Sequence, residues 1–407
     1  MYMNLAILAV FAFVYSAVAG RVERSFVSGP IIFLLFGLLC GPMVLGILDM
    51  EINNFELRVI VDLTLALILF IDAANADLRV LRRNLKIPGR MLLIGMPFVI
   101  LLGVLFGRLV FPELPLFELC ILATILAATD AALGKGVITN PDVPSRVREG
   151  LNAESGLNDG LAVPVLFVFI ALATATGGDQ DSTSLALGLV ARELGIGLAV
   201  GLVLTLLGSW LANLGSRRGW LSEVWNQVFV VGLAFACFAT AQSLHGSGYI
   251  AAFVGGMLFG HLAGSKTHKL VHAAEGIGEL LAMTTWIIFG AVIVGQAWAG
   301  ITWQIAVYSL LSLTVIRVLP MFVSLTGTGE STESKLFLAW FGPRGLASIV
   351  FIIIVASYDL PGFSTLAYTV SCTITLCVLA HGLSANKWAR GFGRRSKVLE
   401  SSLSSEQ

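Results

Sequence analysis

Thirteen stretches of mostly apolar residues, each close to the length of a membrane span, follow one another with only short connections. That succession constrains this chain more than anything else in it. Approximate bounds are 3–20, 29–48, 56–76, 90–111, 116–138, 149–176, 187–213, 224–244, 247–263, 272–297, 301–323, 333–357 and 363–385. A membrane-crossing helix needs about 20 predominantly apolar residues, and a helix satisfies its own backbone groups in lipid. Of the 407 residues, 57% are hydrophobic and 12% charged, against about 25% charged in a soluble domain. So little charge cannot clothe a water-facing surface. The predicted fold class is an all-α polytopic membrane protein. The first stretch has no basic segment before it and no compelling small-residue cleavage site, so it reads as a span rather than a signal peptide. A short turn around His245–Gly248 divides the eighth stretch from the ninth.

Charge position orients these spans. With the N-terminus outside, one set of connections holds Arg21, Arg24, Arg79, Arg82, Arg83, Lys86, Arg90, Lys135, Arg146, Arg148, Arg217, Arg218, Lys266, Lys269, Lys335, Lys387, Arg390, Arg394, Arg395 and Lys397. The opposite set holds Asp49, Glu51, Glu113, Asp179, Asp181 and Asp359. Basic connections stay cytoplasmic, so an odd number of spans, N-terminus out and C-terminus in, is the expectation. Residues 1–386 then form one transmembrane unit, and 387–407 a short, mobile cytoplasmic tail. Basic and acidic residues balance at 25 each, which argues against a nucleic-acid-binding face. The five cysteines lie in apolar runs without CxxC spacing and read as packing residues.

Polar residues inside the spans carry the chemistry, because a charge at the bilayer centre costs about 2.5–3.5 kcal/mol on the mildest scale. The sixth span contains Asn152, Glu154, Ser155, Asn158 and Asp159. Glu154 with Asn158, and Ser155 with Asp159, are four apart, so they form one strip on a helix. Read otherwise, the segment is a loop at the membrane edge. Pro164 removes the backbone bond to Gly160. The fifth span carries Thr129-Asp130 mid-way. An interruption there would let Asp130 cap a half-helix end; the plainer reading is a hydrogen-bonded interhelical aspartate.

Arg317 lies in the eleventh span and Arg344 in the twelfth, within Gly342-Pro343-Arg344-Gly345, which cannot continue as regular helix. A buried arginine calls for a carboxylate, with Asp62, Asp72, Asp130, Glu154 and Asp159 available. Both arginines read as structural rather than substrate-contacting. The fifth and twelfth spans hold matching places in two six-span halves of opposite topology, and interrupted helices so placed point to a transporter's midplane site.

At these residues the chain resembles the monovalent cation:proton antiporter family, in its electroneutral sodium/proton exchanger branch of the bacterial type. The matching stretches are Ala128-Thr129-Asp130, Asn152-Ala153-Glu154-Ser155-Gly156-Leu157-Asn158-Asp159-Gly160, Arg317 and Gly342-Pro343-Arg344-Gly345. Phe70-Ile71-Asp72 followed by Leu78-Arg79 and Leu81-Arg82-Arg83 also looks like the family. The resemblance implies about thirteen transmembrane helices in two inverted six-helix repeats with crossed broken helices. It implies a core domain, roughly 90–176 and 301–385, and a dimerisation scaffold from the first and middle spans. It implies a homodimer in the cell inner membrane, serving pH homeostasis without a cofactor.

Asp159 would bind sodium or proton, with Thr129, Asp130 and Ser155 lining the site and Asn158 supporting it. Glu154 and Arg317 would form a buried structural pair, with Arg344 a further supporting residue. An uncharged Asn158, where the electrogenic branch has aspartate, implies one-for-one exchange. Many members carry proline after Thr-Asp; here Ala131 stands there, so the break must come from the crossing itself.

One titratable group with two exclusive partners suffices for such exchange. A hard monovalent cation favours carboxylate, hydroxyl and carbonyl oxygens, and a loaded site is neutral with either partner. Asp62, Asp72 and Glu118 are candidates for charged approaches, and His245 and His261 for weak pH sensing. Two rival readings are a potassium/proton antiporter and a sodium-coupled organic-solute symporter. An enzyme is disfavoured because no nucleophile pair or HExxH cluster occurs in the spans.

Overall fold

The computed structural model describes residues 2–23, 27–48, 55–76, 86–130, 133, 137, 140, 143–175, 180–220, 222–297 and 300–405. Each of the thirteen predicted stretches contains helix among them. In chain order these are α1 (Tyr2–Glu23), α2 (Gly29–Cys40), α3 (Phe55–Asn75), α4 (Lys86–Val110), α5 (Leu116–Ala127), α6 (Ser145–Thr174) and α7 (Gln180–Arg217). There follow α8 (Glu223–Ser243), α9 (Gly248–Ala263), α10 (Thr267–Ala297), α11 (Trp303–Ser324), α12 (Thr332–Trp340), α13 (Leu346–Val355) and α14 (Phe363–Ser405). No strand occurs among the described residues. Seven of these helices are long and apolar enough to cross a membrane, and five shorter apolar ones accompany them. The chain is a multi-pass membrane protein.

The turn between α8 and α9 falls where the sequence placed it. His245 takes a positive φ of 57°, and Ser247 caps α9 by accepting from the Ile250 N–H. The twelfth span is two half-helices, α12 and α13, separated by residues 341–345. The sequence pattern treats 387–407 as a mobile tail; in the structure α14 runs on as one helix to Ser405. Arg395 Nε donates to Glu333 Oε1 at 2.7 Å, tying that extension to the start of α12. The polar sequence there removes lipid-facing character without removing helix propensity.

Glycines set the closest helix approaches. On α9, a methyl group added at Gly256 or Gly260 would collide with the carbonyl oxygens of Phe70 and Ala74 on α3. Gly37 of α2 and Gly41 just after it lie in the same way against Ile287 and Ala291 of α10. Both are G-x-x-x-G pairs, the spacing that lets apolar helices meet backbone to backbone. Together they bind α2, α3, α9 and α10 into one bundle. α10 is widened to π-helical turns over Phe289–Val294 where Gly290 meets α2.

The other bundle holds α4, α5, α6 and α11–α14. At one end the two groups are linked by Arg58 of α3, whose Nη1 donates to Ser357 Oγ just beyond α13 at 2.6 Å. Asp62 of α3, a candidate for a charged approach, instead accepts from Tyr249 Oη at 2.7 Å and pairs with Arg58 at 3.8 Å. Glu118, the other such candidate at that end, is 2% exposed and accepts the Gly362 N–H at 2.9 Å, anchoring the loop before α14.

All five cysteines are free thiols. Cys377 does more than pack: its Sγ accepts the Arg344 N–H at 3.0 Å and lies 3.3 Å from His381 Nδ1. Ala131, Arg24, Asp49, Glu51, Leu78, Arg79, Leu81, Arg82, Arg83, Lys135 and Asp179 lie outside the described residues.

Candidate cation and proton site at two crossed chain breaks

Two interrupted helices cross beside α6, and each break caps a half-helix of the other span. α5 stops at Ala127, and Ala128 is already extended at φ −62° and ψ 142°. The Asp130 N–H then donates to the Pro343 carbonyl at 2.7 Å. Asp130 Oδ2 accepts the Leu346 N–H at 2.9 Å and so caps α13. A carboxylate at a helix N-terminus is stabilised by the exposed amides and the positive dipole end. The sequence had Asp130 capping a half-helix; the one it caps belongs to the twelfth span rather than to its own.

Arg344 supplies the reciprocal cap. Its Nε donates to the Leu126 carbonyl at 2.7 Å, at the C-terminal, negative end of α5. Its Nη2 donates to the Ser312 carbonyl at 2.9 Å, where α11 is distorted at Thr314. Ser348 Oγ adds a bond to the Ile125 carbonyl at 2.8 Å. The expectation that a buried arginine takes a carboxylate is therefore corrected for Arg344: its side chain donates to backbone carbonyls that the interrupted helices cannot satisfy themselves. Residues missed in the sequence support the same crossing. His381 Nε2 lies 2.9 Å from the Trp340 carbonyl at the end of α12, and Cys377 sits one turn before it on α14.

α6 runs past the crossing unbroken, with Pro164 inside it, so its polar strip is helical and buried rather than a loop. Glu154 and Arg317, at 0% and 1% exposure, pair at 3.0 Å as expected. The same Glu154 Oε1 accepts from Asn158 Nδ2 at 3.2 Å and Thr129 Oγ1 at 3.4 Å. Asn158 Nδ2 also reaches the Ala127 carbonyl at 3.1 Å and Thr129 Oγ1 at 3.2 Å, lashing α6 to the end of α5.

Asp159 is buried one turn from Ser155, which is also buried. Its Oδ1 has no hydrogen-bond partner, and neither does Asn158 Oδ1. The Thr129 backbone N–H is the amide that bonds the Asp159 carboxylate, and the charges of Asp130, Asp72 and Glu154 act on it. Within this cluster Glu154 is matched by Arg317, and Asp130 by a half-helix N-terminus. Asp159 has no cationic partner among the described residues. An isolated buried carboxylate of this kind is costly to leave bare, and either a proton or a monovalent cation neutralises it.

The packing on either side of Asp159 differs. Toward the C-terminal half of α6, Phe253 of α9 packs so tightly on Gly160 that an added methyl would collide with its ring. Toward the N-terminal half, Asp72 at the end of α3 lies beside Gly156, with its Cβ 3.6 Å from where a methyl would sit. Asn75 donates to Glu275 Oε1 at 3.1 Å on that same side. Of the three carboxylates considered for approaches, Asp72 is the one that sits at the site.

Gly345 makes the crossing possible, because a methyl there would displace the Asp130 carboxyl group. Gly345→Ala is expected to uncap α13, at a cost of about 1 kcal/mol for the lost cap, and to stop transport by shifting both breaks. Thermal unfolding together with a dye-based transport assay checks this. Wild-type rates in Gly345→Ala would contradict the reading of the crossing.

The sequence pattern of the sodium/hydrogen exchanger transmembrane region matches residues 7–390. The probable Na(+)/H(+) antiporter C3A11.09 of Schizosaccharomyces pombe is 24% identical over 292 residues, which cover 66% of this chain and 38% of that protein. The K(+)/H(+) antiporter NhaP2 of Shewanella sp. (strain ANA-3) is 21% identical over 271 residues, 66% of this chain and 46% of that one. The chain thus spans less than half the length of these relatives. The structure of the sodium proton antiporter MjNhaP1 from Methanocaldococcus jannaschii at pH 8 superposes with a TM-score of 0.77 at 22% identity, covering 96% of this chain and 99% of that one. The architecture is that antiporter fold.

Proposed function

The chain belongs to the sodium/hydrogen exchanger family, a family of transporters rather than enzymes, and on that premise we propose that it exchanges a monovalent cation for a proton at Asp159. The observation that carries this reading is the buried Asp159 carboxylate with an orphaned Oδ1, beside the orphaned Asn158 Oδ1. Both are acceptors of the kind a hard cation takes. Ser155, Thr129 and Asp130 line the same place and would complete the oxygen set for the transported sodium. Protonated or cation-loaded, the site is neutral and can cross the barrier between the two bundles; bare, it carries an isolated charge that burial disfavours. Coupling follows from that exclusion. No cofactor takes part.

The bundle of α4–α6 with α11–α14 would act as the moving core, and α1–α3 with α7–α10 as the scaffold and homodimer contact. The Phe253–Gly160 contact and the Arg58–Ser357 bond would close one side, and the route from the connections rich in lysine and arginine would enter on the other, past Asp72. Those connections would face the cytoplasm, with the N-terminus outside and the protein in the inner membrane. With Asn158 uncharged, one carboxylate changes partner per cycle, so exchange is one-for-one and electroneutral.

Sodium, with lithium accepted, is the proposed cation. A potassium/proton exchanger is the second reading, because relatives of similar identity carry that name. In proteoliposomes loaded with a pH-sensitive dye, sodium and lithium are expected to collapse a proton gradient and potassium to leave it standing. Clamping the membrane potential should leave the rate unchanged. Activity with potassium alone would transfer the assignment, and a potential-dependent rate would exclude one-for-one exchange.

A further inference from the structure

A cleft of about 1160 Å³ lies apart from the exchange site, between the last turns of α7 and the junction of α9 with α10. We propose that it binds an anionic phospholipid of the leaflet facing the basic connections. Its two sides differ in a way that fits one class of ligand. On α7, Ser209, Asn213 and Ser216 line it. They are spaced four and three apart and so fall on one helical face, although α7 is otherwise apolar there. The Ser209 hydroxyl is buried and has no hydrogen-bond partner among the described residues. Opposite them, Lys266 and Lys269 line the mouth, and both are exposed. No carboxylate is among the lining residues.

The apolar walls extend the cleft away from that mouth. Leu206, Trp210 and Leu262 line it, with Trp210 61% exposed. An exposed tryptophan beside lysines marks the interfacial level, where headgroups end and acyl chains begin. The ammonium, hydroxyl and amide groups of the lining suit a phosphate, and its apolar residues suit acyl chains. Basic pockets between transmembrane helices are where acidic headgroups dock. A soluble anion would leave the apolar walls unused, and a zwitterionic lipid would gain little from the lysines. The cleft shares no residue with the exchange site, so the proposal stands or falls independently of the transported ion.

The test uses the full chain, purified and delipidated in detergent. Thermal unfolding and native mass spectrometry would be run with dioleoylphosphatidylglycerol, dioleoylphosphatidylcholine or water-soluble glycerol phosphate. The phosphatidylglycerol is expected to raise the unfolding midpoint and to remain bound, while the other two do neither. In the Lys266→Gln/Lys269→Gln variant its retention should fall about fivefold for each lysine removed, with the midpoint in phosphatidylcholine unchanged. Asn213→Leu, on the opposite wall, should weaken retention without altering the lysines. Equal stabilisation by phosphatidylcholine, or by glycerol phosphate alone, would overturn the proposal. So would retention that ignores both variants, or a lipid-independent change of oligomeric state, which would make the cleft a contact between copies.

Discussion

Asp159→Asn is expected to abolish cation/proton exchange in proteoliposomes while leaving the protein folded and monodisperse. Asparagine is nearly isosteric with the carboxylic acid, so the packing around α6 is preserved, but it can neither release a proton nor balance a cation. The wild-type carboxylate has an orphaned oxygen and no cationic partner among the described residues. Its removal therefore breaks no structural pair, and thermal stability should hold or rise, because an uncompensated buried charge disappears. Exchange should fall to the rate of empty liposomes with every cation tried. Cation-driven proton movement that persists in Asp159→Asn would place the exchanging group elsewhere.

Glu154→Ala is expected to fail in the opposite way, through folding. One Glu154 oxygen accepts from Arg317, Asn158 and Thr129 at 3.0–3.4 Å, so truncation strands a guanidinium and the Thr129 hydroxyl in the protein interior, while Asn158 keeps the Ala127 carbonyl. Breaking a buried pair by removing one partner costs about 3–5 kcal/mol, and low folded yield with a depressed unfolding midpoint should follow. Arg317→Met in the same chain removes the stranded cation and should recover much of the loss. A double variant no better than Glu154→Ala would argue that the pair's charge is not what matters. Normal yield in the single variant would argue against the pairing itself.

Much of this architecture is written in local pattern. Each of the thirteen apolar runs contains helix because lipid leaves a chain little choice but helix. The strip from Glu154 to Asp159 is legible because four-residue spacing places its members together on any helix. What was not legible depends on contacts between distant segments. Arg344 reads as an arginine in need of an acid, yet its bonds go to the Leu126 and Ser312 carbonyls, freed by distortions that no residue type announces. Asp130 capping α13 rather than its own span follows from how two breaks cross.

Other signals were present but unread. Gly256 with Gly260 and Gly37 with Gly41 carry the G-x-x-x-G spacing that fixes two helix pairs. Cys377 and His381, four apart in an apolar span, form the polar brace behind the crossing. The extension of α14 to Ser405 follows from residues that are polar yet compatible with helix beyond the last apolar span.

The central claim is that cation and proton compete for one carboxylate. Binding of a cation to a protonated ligand must release that proton. The direct measurement is therefore proton release from the purified protein in weakly buffered detergent on addition of sodium, lithium or potassium chloride, with choline chloride as control. The account predicts about one proton released per protomer at saturation by the transported cation, with a midpoint that shifts to higher cation concentration as pH falls, and none from Asp159→Asn. Cation binding without proton release, or release that survives in Asp159→Asn, would contradict it.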